Sequence, residues 1–282
     1  MVTISVLVLL GLGLLTAAIL AAASRVFHVS EDPRVAAVLE ALPGANCGGC
    51  GFAGCEGYAK AVVTDPSLPP NRCCAGGAAT AAKVSELTGK AAAASEAMHS
   101  FRRCNKRQGN VGLRYTYQGI PSCAAVAALA DGAEMCSYSC LGYGDCVSSC
   151  PFDALSIRDG LAVVDEAACT GCGKCAEVCP RHVLELVPSR ARVAVTCATL
   201  DKLKAVTEVC GVGCIKCLRC VKACPAKAVQ LENGRIQIDH EKCLAHGDSC
   251  GQACVASCAR KALCSLRPVL LEPLAKAEEK TA

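Results

Sequence analysis

The 282-residue chain has no tryptophan, only five tyrosines and only four phenylalanines. Aromatic and large aliphatic side chains build the core of an ordinary enzyme domain of this length, whereas here alanine, glycine and cysteine make up much of the apolar fraction. An ordinary globular enzyme is excluded, and something other than packing must supply cohesion. Also missing is a glycine-rich phosphate loop after a strand. Gly11-Leu12-Gly13 lies inside an apolar run, so neither a dinucleotide fingerprint nor a Walker loop is present. His28, His99, His182, His240 and His246 do not cluster with carboxylates into a hydrolytic arrangement. No catalytic residue and no substrate pocket are expected.

Cysteine is abundant instead, with 26 of the 282 residues. That leaves a disulfide scaffold in an oxidising compartment, or cysteines binding metal in a reducing one. The first 23 residues bear on the choice. They carry no charge, and only Thr3, Ser5 and Thr16 interrupt the Val, Leu, Ile, Gly and Ala, a run long enough to span a bilayer once. Ala21-Ala22-Ala23 would also suit signal cleavage, but no Lys or Arg precedes the run. Arg25 and Arg34 follow it, diluted by Glu31 and Asp32, which predicts a single-pass anchor in the cytoplasmic membrane with the body on the cytoplasmic side. In that compartment disulfides are disfavoured and metal binding is expected.

Beyond a polar stretch from Ser24 to Arg34 comes a cysteine block, Cys47 to Gly77, then an alanine-rich segment, Ala78 to Met98, expected to be a connecting helix. From Cys123 to Cys264 the chain repeats itself. Cys146-Val-Ser-Ser-Cys150-Pro151 parallels Cys220-Val-Lys-Ala-Cys224-Pro225 and Cys175-Ala-Glu-Val-Cys179-Pro180, and each Cys-Pro is expected to start a short helix. Two copies lead into alternating segments around Asp159-Gly160 and Asn233-Gly234, strong hairpin signals. Residues Ser265 to Ala282 read as a loosely held tail.

Cys169-x2-Cys172-x2-Cys175-x3-Cys179-Pro180 and Cys214-x2-Cys217-x2-Cys220-x3-Cys224-Pro225 follow the bacterial iron–sulfur run residue for residue. Three close cysteines wrap one cubane, and the fourth reaches the other cluster of a pair. Zinc sites use paired C-x2-C groups and fit this three-then-one grouping poorly. Each run needs a partner, supplied by Cys136-x3-Cys140-x5-Cys146-x3-Cys150 and by Cys243-x6-Cys250-x3-Cys254-x3-Cys258. Crossing the fourth cysteines predicts four sites: Cys136, Cys140, Cys146 with Cys179; Cys150 with Cys169, Cys172, Cys175; Cys214, Cys217, Cys220 with Cys258; and Cys224 with Cys243, Cys250, Cys254. In the last run Ala259 replaces the proline, and His246 is either an alternative ligand or, more in keeping with its loop, a solvated side chain. Cys210-x3-Cys214-x2-Cys217 has the spacing of radical S-adenosylmethionine enzymes, but the stronger run claims its cysteines and the repeated strand–helix units of a barrel are absent.

Asn46-Cys47-Gly-Gly-Cys50-Gly-Phe-Ala-Gly-Cys55, followed by Cys73-Cys74-Ala-Gly76-Gly77, sets three cysteines in a glycine-rich turn with a remote fourth, a single-cluster site. Behind an apolar N-terminal segment and ahead of the paired runs, this block resembles the B subunit of the Rnf-type ion-translocating electron transport complex, over about residues 1 to 264. The resemblance implies that Cys73, three residues before the glycine pair, is the fourth ligand. Cys74-Ala75 stands where the family has proline, so Cys74 stays open as its substitute. It further implies an electron-relay subunit of a redox-driven ion translocase, coupling electron flow between ferredoxin and NAD to Na⁺ or H⁺ movement. Flavin-bearing and integral-membrane subunits and soluble ferredoxin are the partners it implies. Longer members have cysteines at places like Cys104, Cys123, Cys197 and Cys210, which could hold a sixth cluster or serve as small buried apolar residues.

The fold expected is α+β: a transmembrane helix (1–26), a single-[4Fe-4S] domain with its connecting helix (27–100), two bacterial-ferredoxin-like two-cluster modules (101–195 and 196–264) and a flexible tail (265–282). The formal net charge is +4. Five oxidised cubanes, each about −2 with its thiolates, would shift it to about −6. Nucleic-acid binding then loses its support, and Lys174, Lys216, Arg219 and Lys222 would partly neutralise the clusters. The competing functions are an iron–sulfur relay in another membrane oxidoreductase, such as a hydrogenase or dehydrogenase, and a secreted disulfide-rich binding module.

Overall fold

The computed structural model describes residues 2–26, 32–92, 96–106 and 110–266. The apolar run forms helix α1 (Val2–Val26), long and apolar enough to cross a membrane, with none of its apolar window buried against the rest of the chain.

Three helices make the first small core: α2 (Pro33–Ala41), α3 (Cys55–Thr64) and α4 (Gly77–Thr88). Asp32 caps α2 and Pro33 begins it, the residue types that helix starts favour. Val35 and Val38 of α2, Tyr58 and Val62 of α3, and Val84 of α4 are buried together. Helix α4 therefore belongs to this domain and is not a connector. It stops at Gly89, whose φ of +69° only glycine adopts freely. Lys90 then donates to the carbonyls of Val62, Asp65 and Leu68, a cation at the C-terminal end of α3. Met98, expected in the same helix, already lies in a strand.

The remainder is built twice on one plan. In the first half β1 (Met98–Arg102) pairs antiparallel with β4 (Leu184–Pro188), and β2 (Leu155–Arg158) with β3 (Leu161–Val164). In the second, β5 (Val193–Val195) pairs with β8 (Leu263–Ser265), and β6 (Val229–Glu232) with β7 (Arg235–Ile238). Both expected hairpins form. Asp159-Gly160 and Asn233-Gly234 all have positive φ, as a type I′ turn requires. Each half begins slightly earlier than expected, because β1 and β5 reach forward to pair with its last strand. Ser265 completes β8 and Leu266 is buried, so the tail begins no earlier than 267; residues 267–282 lie outside the described residues.

Cys-Pro ends helices here, contrary to the expectation that it starts them. The short helices α6 (Asp145–Ser148), α7 (Lys174–Val178) and α9 (Arg219–Ala223) precede Cys150, Cys179 and Cys224. Proline disfavours helical backbone in the residue before it, and Cys179 and Cys224 are extended. A turn follows in which the residue three past the cysteine has φ near +50°: Asp153, His182, Lys227, and also Lys261 after Cys258-Ala259. The next residue but one enters β2, β4, β6 or β8. The turn is thus a property of the repeat that survives loss of the proline. The other helices are α5 (Cys123–Ala128), α8 (Leu203–Val209), α10 (His240–His246) and α11 (Ala253–Ala256). In each half cysteines and aliphatic side chains share one core, Leu155, Leu161 and Leu184 in the first and Val229, Ile236 and Leu263 in the second.

Candidate metal centres

Five small voids lie among the described residues, and each is lined by at least four cysteines. Among the described residues no three His, Cys, Asp or Glu side chains converge as the ligands of one ion do. The thiols stand around each void, the arrangement a multi-atom cluster needs. Burial pushes the thiol of Cys146 up to about 12 and those of Cys220 and Cys254 up to about 11. Such groups are thiolates at neutral pH only when bound to metal, so cluster insertion releases their protons.

The first void gathers Cys47, Cys50, Cys55, Cys73 and Cys74 under Tyr58, whose burial raises its phenol to about 12. Asn46, at φ +46°, accepts the Cys55 N–H at 2.8 Å and so holds the glycine turn against the start of α3. Cys73 faces Cys55, Cys47 and Cys50, whereas Cys74 lies near Cys47 and also Cys172.

Three voids hold the cysteines expected together. Cys150, Cys169, Cys172 and Cys175 surround one, with Ser100 of β1 donating its N–H to Cys169 at 3.4 Å and its hydroxyl 3.2 Å from Cys175. Cys214, Cys217, Cys220 and Cys258 surround the next; Lys216 is in its wall, with its ammonium on the carbonyls of Leu200 and Asp201. Cys224, Cys243, Cys250 and Cys254 surround the last, where His246 also lies in the wall. His246 is exposed and near Ser249, and the four cysteines complete this set without it. Buried Arg192, which sequence reasoning missed, hydrogen-bonds Cys243 and pairs with Asp248 at 2.6 Å.

The remaining void departs from expectation. It brings Cys140, Cys146 and Cys179 together with Cys123, and Cys136 is not in its lining. The cause is local. Asp145 accepts the N–H groups of Cys123 and Ala124, each at 2.9 Å, and the Ser122 hydroxyl, also at 2.9 Å, fixing the start of α5 beside Cys146. Arg181 holds the Cys136 carbonyl at 2.7 Å, and the Cys136 thiol faces Cys210, Cys104 and Cys197. Cys136, rather than Cys123, therefore lies beside Cys104, Cys197 and Cys210, which differs from the grouping expected for those cysteines. A signal for this lay in the spacing. Cys140, Cys146 and Cys150 align with Cys214, Cys220 and Cys224, which leaves the step of Cys217 without a cysteine in the first half and Cys123 to fill it.

Cysteine-lined voids on short loops, repeated through a small α+β body, define an iron–sulfur protein. Two family models agree, "Putative Fe-S cluster" over residues 42–75 and "4Fe-4S binding domain" over residues 162–185. The chain is 43% identical to the B subunit of the ion-translocating oxidoreductase complex of Methanosarcina acetivorans, over 92% of this chain and 96% of the relative. It is also 43% identical to the B subunit of the proton-translocating ferredoxin:NAD(+) oxidoreductase complex of Clostridium ljungdahlii, over 88% and 86% of the two chains. The Na(+)-translocating counterpart from Acetobacterium woodii is 40% identical, over 79% and 67%. The chain belongs to the family of B subunits of ion-translocating oxidoreductase complexes and is an iron–sulfur electron carrier whose N-terminal helix is long and apolar enough to cross a membrane.

Proposed function

We propose that this chain is the membrane-anchored relay through which a complex couples electron transfer between ferredoxin and NAD to Na⁺ or H⁺ translocation, with its body on the cytoplasmic side. The observation that carries this reading is the succession of five cysteine-lined voids among the described residues. The ligand sets are Cys47, Cys50, Cys55, Cys73; Cys150, Cys169, Cys172, Cys175; Cys123, Cys140, Cys146, Cys179; Cys214, Cys217, Cys220, Cys258; and Cys224, Cys243, Cys250, Cys254. When bound, [4Fe-4S] clusters supply one-electron carriers, and the protein tunes them by burial, hydrogen bonds and charge.

The domain plan is an anchor, a single-cluster domain up to about residue 92, and two bacterial-ferredoxin-like modules starting near 96 and 190. The strand pairing β1 with β4 and β5 with β8, each enclosing a hairpin, supports the two modules. Helix α1 offers no ionisable group in its apolar core, so the ion path belongs to integral-membrane partner subunits, and flavin-bearing subunits complete the electron route.

The test uses the full chain purified anaerobically with its complex. Reduced ferredoxin should bleach the iron–sulfur absorbance rapidly, and flavin-bearing and integral-membrane subunits should co-purify. An iron-loaded chain that no ferredoxin reduces, or that travels with a hydrogenase instead, would overturn the assignment of donor and complex.

A further inference from the structure

The four cysteines left outside the five sets, apart from Cys74 and Cys264, are Cys104, Cys136, Cys197 and Cys210, and they meet where the two halves join. Cys104 and Cys197 stand two residues past β1 and β5 and form an antiparallel β-bridge with each other. Cys136 and Cys210 are also related by the repeat, each separated by three residues from the first loop cysteine of its half, Cys140 or Cys214. Each half therefore contributes one cysteine after its first strand and one before its first loop.

The surroundings obey the same two-fold relation. Arg181 and Arg260 stand two residues past Cys179 and Cys258. Arg181 donates to the carbonyls of Cys136 at 2.7 Å and Ser139 at 3.2 Å; Arg260 donates to those of Cys210 at 2.6 Å and Gly213 at 3.3 Å. The sulfur of Cys197 accepts the Cys214 N–H at 3.2 Å and also that of Thr199. The sulfur of Cys104 is hydrogen-bonded in the matching way by the N–H groups of Cys140 and Lys106. Paired N–H donors at a sulfur suit a metal-bound thiolate, whereas a thiol filling an apolar core is a weak acceptor. Arg103 pins the joint, donating to Glu185 of its own half at 3.0 Å and to the Ile236 carbonyl of the other at 2.8 Å.

We propose that Cys104, Cys136, Cys197 and Cys210 bind a sixth [4Fe-4S] cluster, shared between the two ferredoxin-like modules. Its neighbours are fixed by the hydrogen bonds just described. Cys140 belongs to a set in the first half and Cys214 to a set in the second, and the backbone of each touches a sulfur of the shared site. The sixth site thus fills the gap between the modules and makes one continuous row of carriers. This inference rests on the iron–sulfur reading of the other five sets, and it exchanges Cys136 and Cys123 relative to the order of cysteines in the sequence.

The test is iron and acid-labile sulfide per full-length chain, with Mössbauer and EPR spectra, in single and double alanine variants. The full chain should hold about 24 iron atoms, Cys104→Ala about 20 and Cys104→Ala with Cys136→Ala still about 20, because both remove the same cluster. Cys104→Ala with Cys123→Ala should fall to about 16, because two clusters are lost. Cys264→Ala should keep the full count, and the EPR signals of the remaining clusters report that each variant has folded. A full chain holding about 20 iron atoms, with Cys104→Ala unchanged, would overturn the sixth cluster while leaving the relay intact. The reverse pattern in the two doubles would overturn the exchange of ligands. Zinc or disulfides in place of iron would instead overturn the underlying relay.

Discussion

Gly49 and Cys172 meet backbone to backbone, so closely that a Cβ at Gly49 would lie 2.8 Å from the Cys172 carbonyl oxygen and 2.9 Å from its Cα. This contact seats the glycine turn of the first domain on the loop that carries Cys169 and Cys172. The requirement is one of space, since the backbone at Gly49 is not in the left-handed region. Gly49→Val should force the two loops apart, at a cost of about 1–3 kcal/mol for overpacking. The expected phenotype is full iron content with slowed electron exchange between the single-cluster domain and the rest, read by freeze-quench EPR. Unchanged exchange would show that electrons do not cross at this contact.

Cys74 touches the same junction. A Cβ on Gly49 would also come within 2.6 Å of its sulfur, and its thiol is pushed up to about 12, chiefly by burial. Cys73 faces the three cysteines of the turn and is the fourth ligand in the set proposed above. Cys73→Ala should therefore lose about four iron atoms and Cys74→Ala none. Equal iron contents in the two variants would sink the assignment.

The parts of this fold that were legible in the sequence are those governed by local rules. Asp159-Gly160 and Asn233-Gly234 announced their hairpins because both turn positions need positive φ, and the two unbroken C-x2-C-x2-C-x3-C runs announced their voids because one short loop carries three ligands. The placement of Cys123 beside Cys146, and of Cys136 beside Cys104, was not legible in the same way. Cys123 reaches its void through a carboxylate 22 residues away, Asp145, and Cys104 meets Cys197 across a bridge between separate halves. Long gaps carry little geometric information, and only aligning the two halves would have separated Cys136 from Cys140. Taking Cys-Pro as a helix start overlooked proline's effect on the residue before it, which ends the helix there.

Asp145 supplies a test of how Cys123 is held. Its carboxylate accepts from the N–H groups of Cys123 and Ala124 and from the Ser122 hydroxyl, and these bonds keep it well ionised although burial acts the other way. Asp145→Ala removes all three at once. Hydrogen bonds to a charged group contribute roughly 1.5–3 kcal/mol each in mutational series, with partial compensation here from water. The variant should assemble its clusters but lose the one bound by Cys123, Cys140, Cys146 and Cys179 first when challenged with a chelator. Iron release with the same order and rate as in the parent chain would exclude a positioning role for Asp145.

Arg192 and His99 occupy the same step of the repeat, three residues before the ends of β5 and β1, and they give their halves different electrostatics. Arg192 is almost fully buried, hydrogen-bonds Cys243 and donates to the Cys243 carbonyl at 3.4 Å, with Asp248 as its counter-charge. His99 is equally buried but stands 3.7 Å from Glu166, and neither side chain lines the void of the Cys150, Cys169, Cys172, Cys175 set. Reduction adds a negative charge to a cluster, so a fixed guanidinium at its ligand favours the reduced form and raises the potential. The cluster held by Cys224, Cys243, Cys250 and Cys254 should accordingly titrate above its counterpart in the first half. Arg192→Gln should lower it by on the order of 60 mV, a tenfold shift for one electron. Asp248→Asn, which strips the counter-charge, should move it the opposite way. EPR-monitored redox titration separates these outcomes, and a potential that ignores both substitutions would mean that Arg192 serves packing alone.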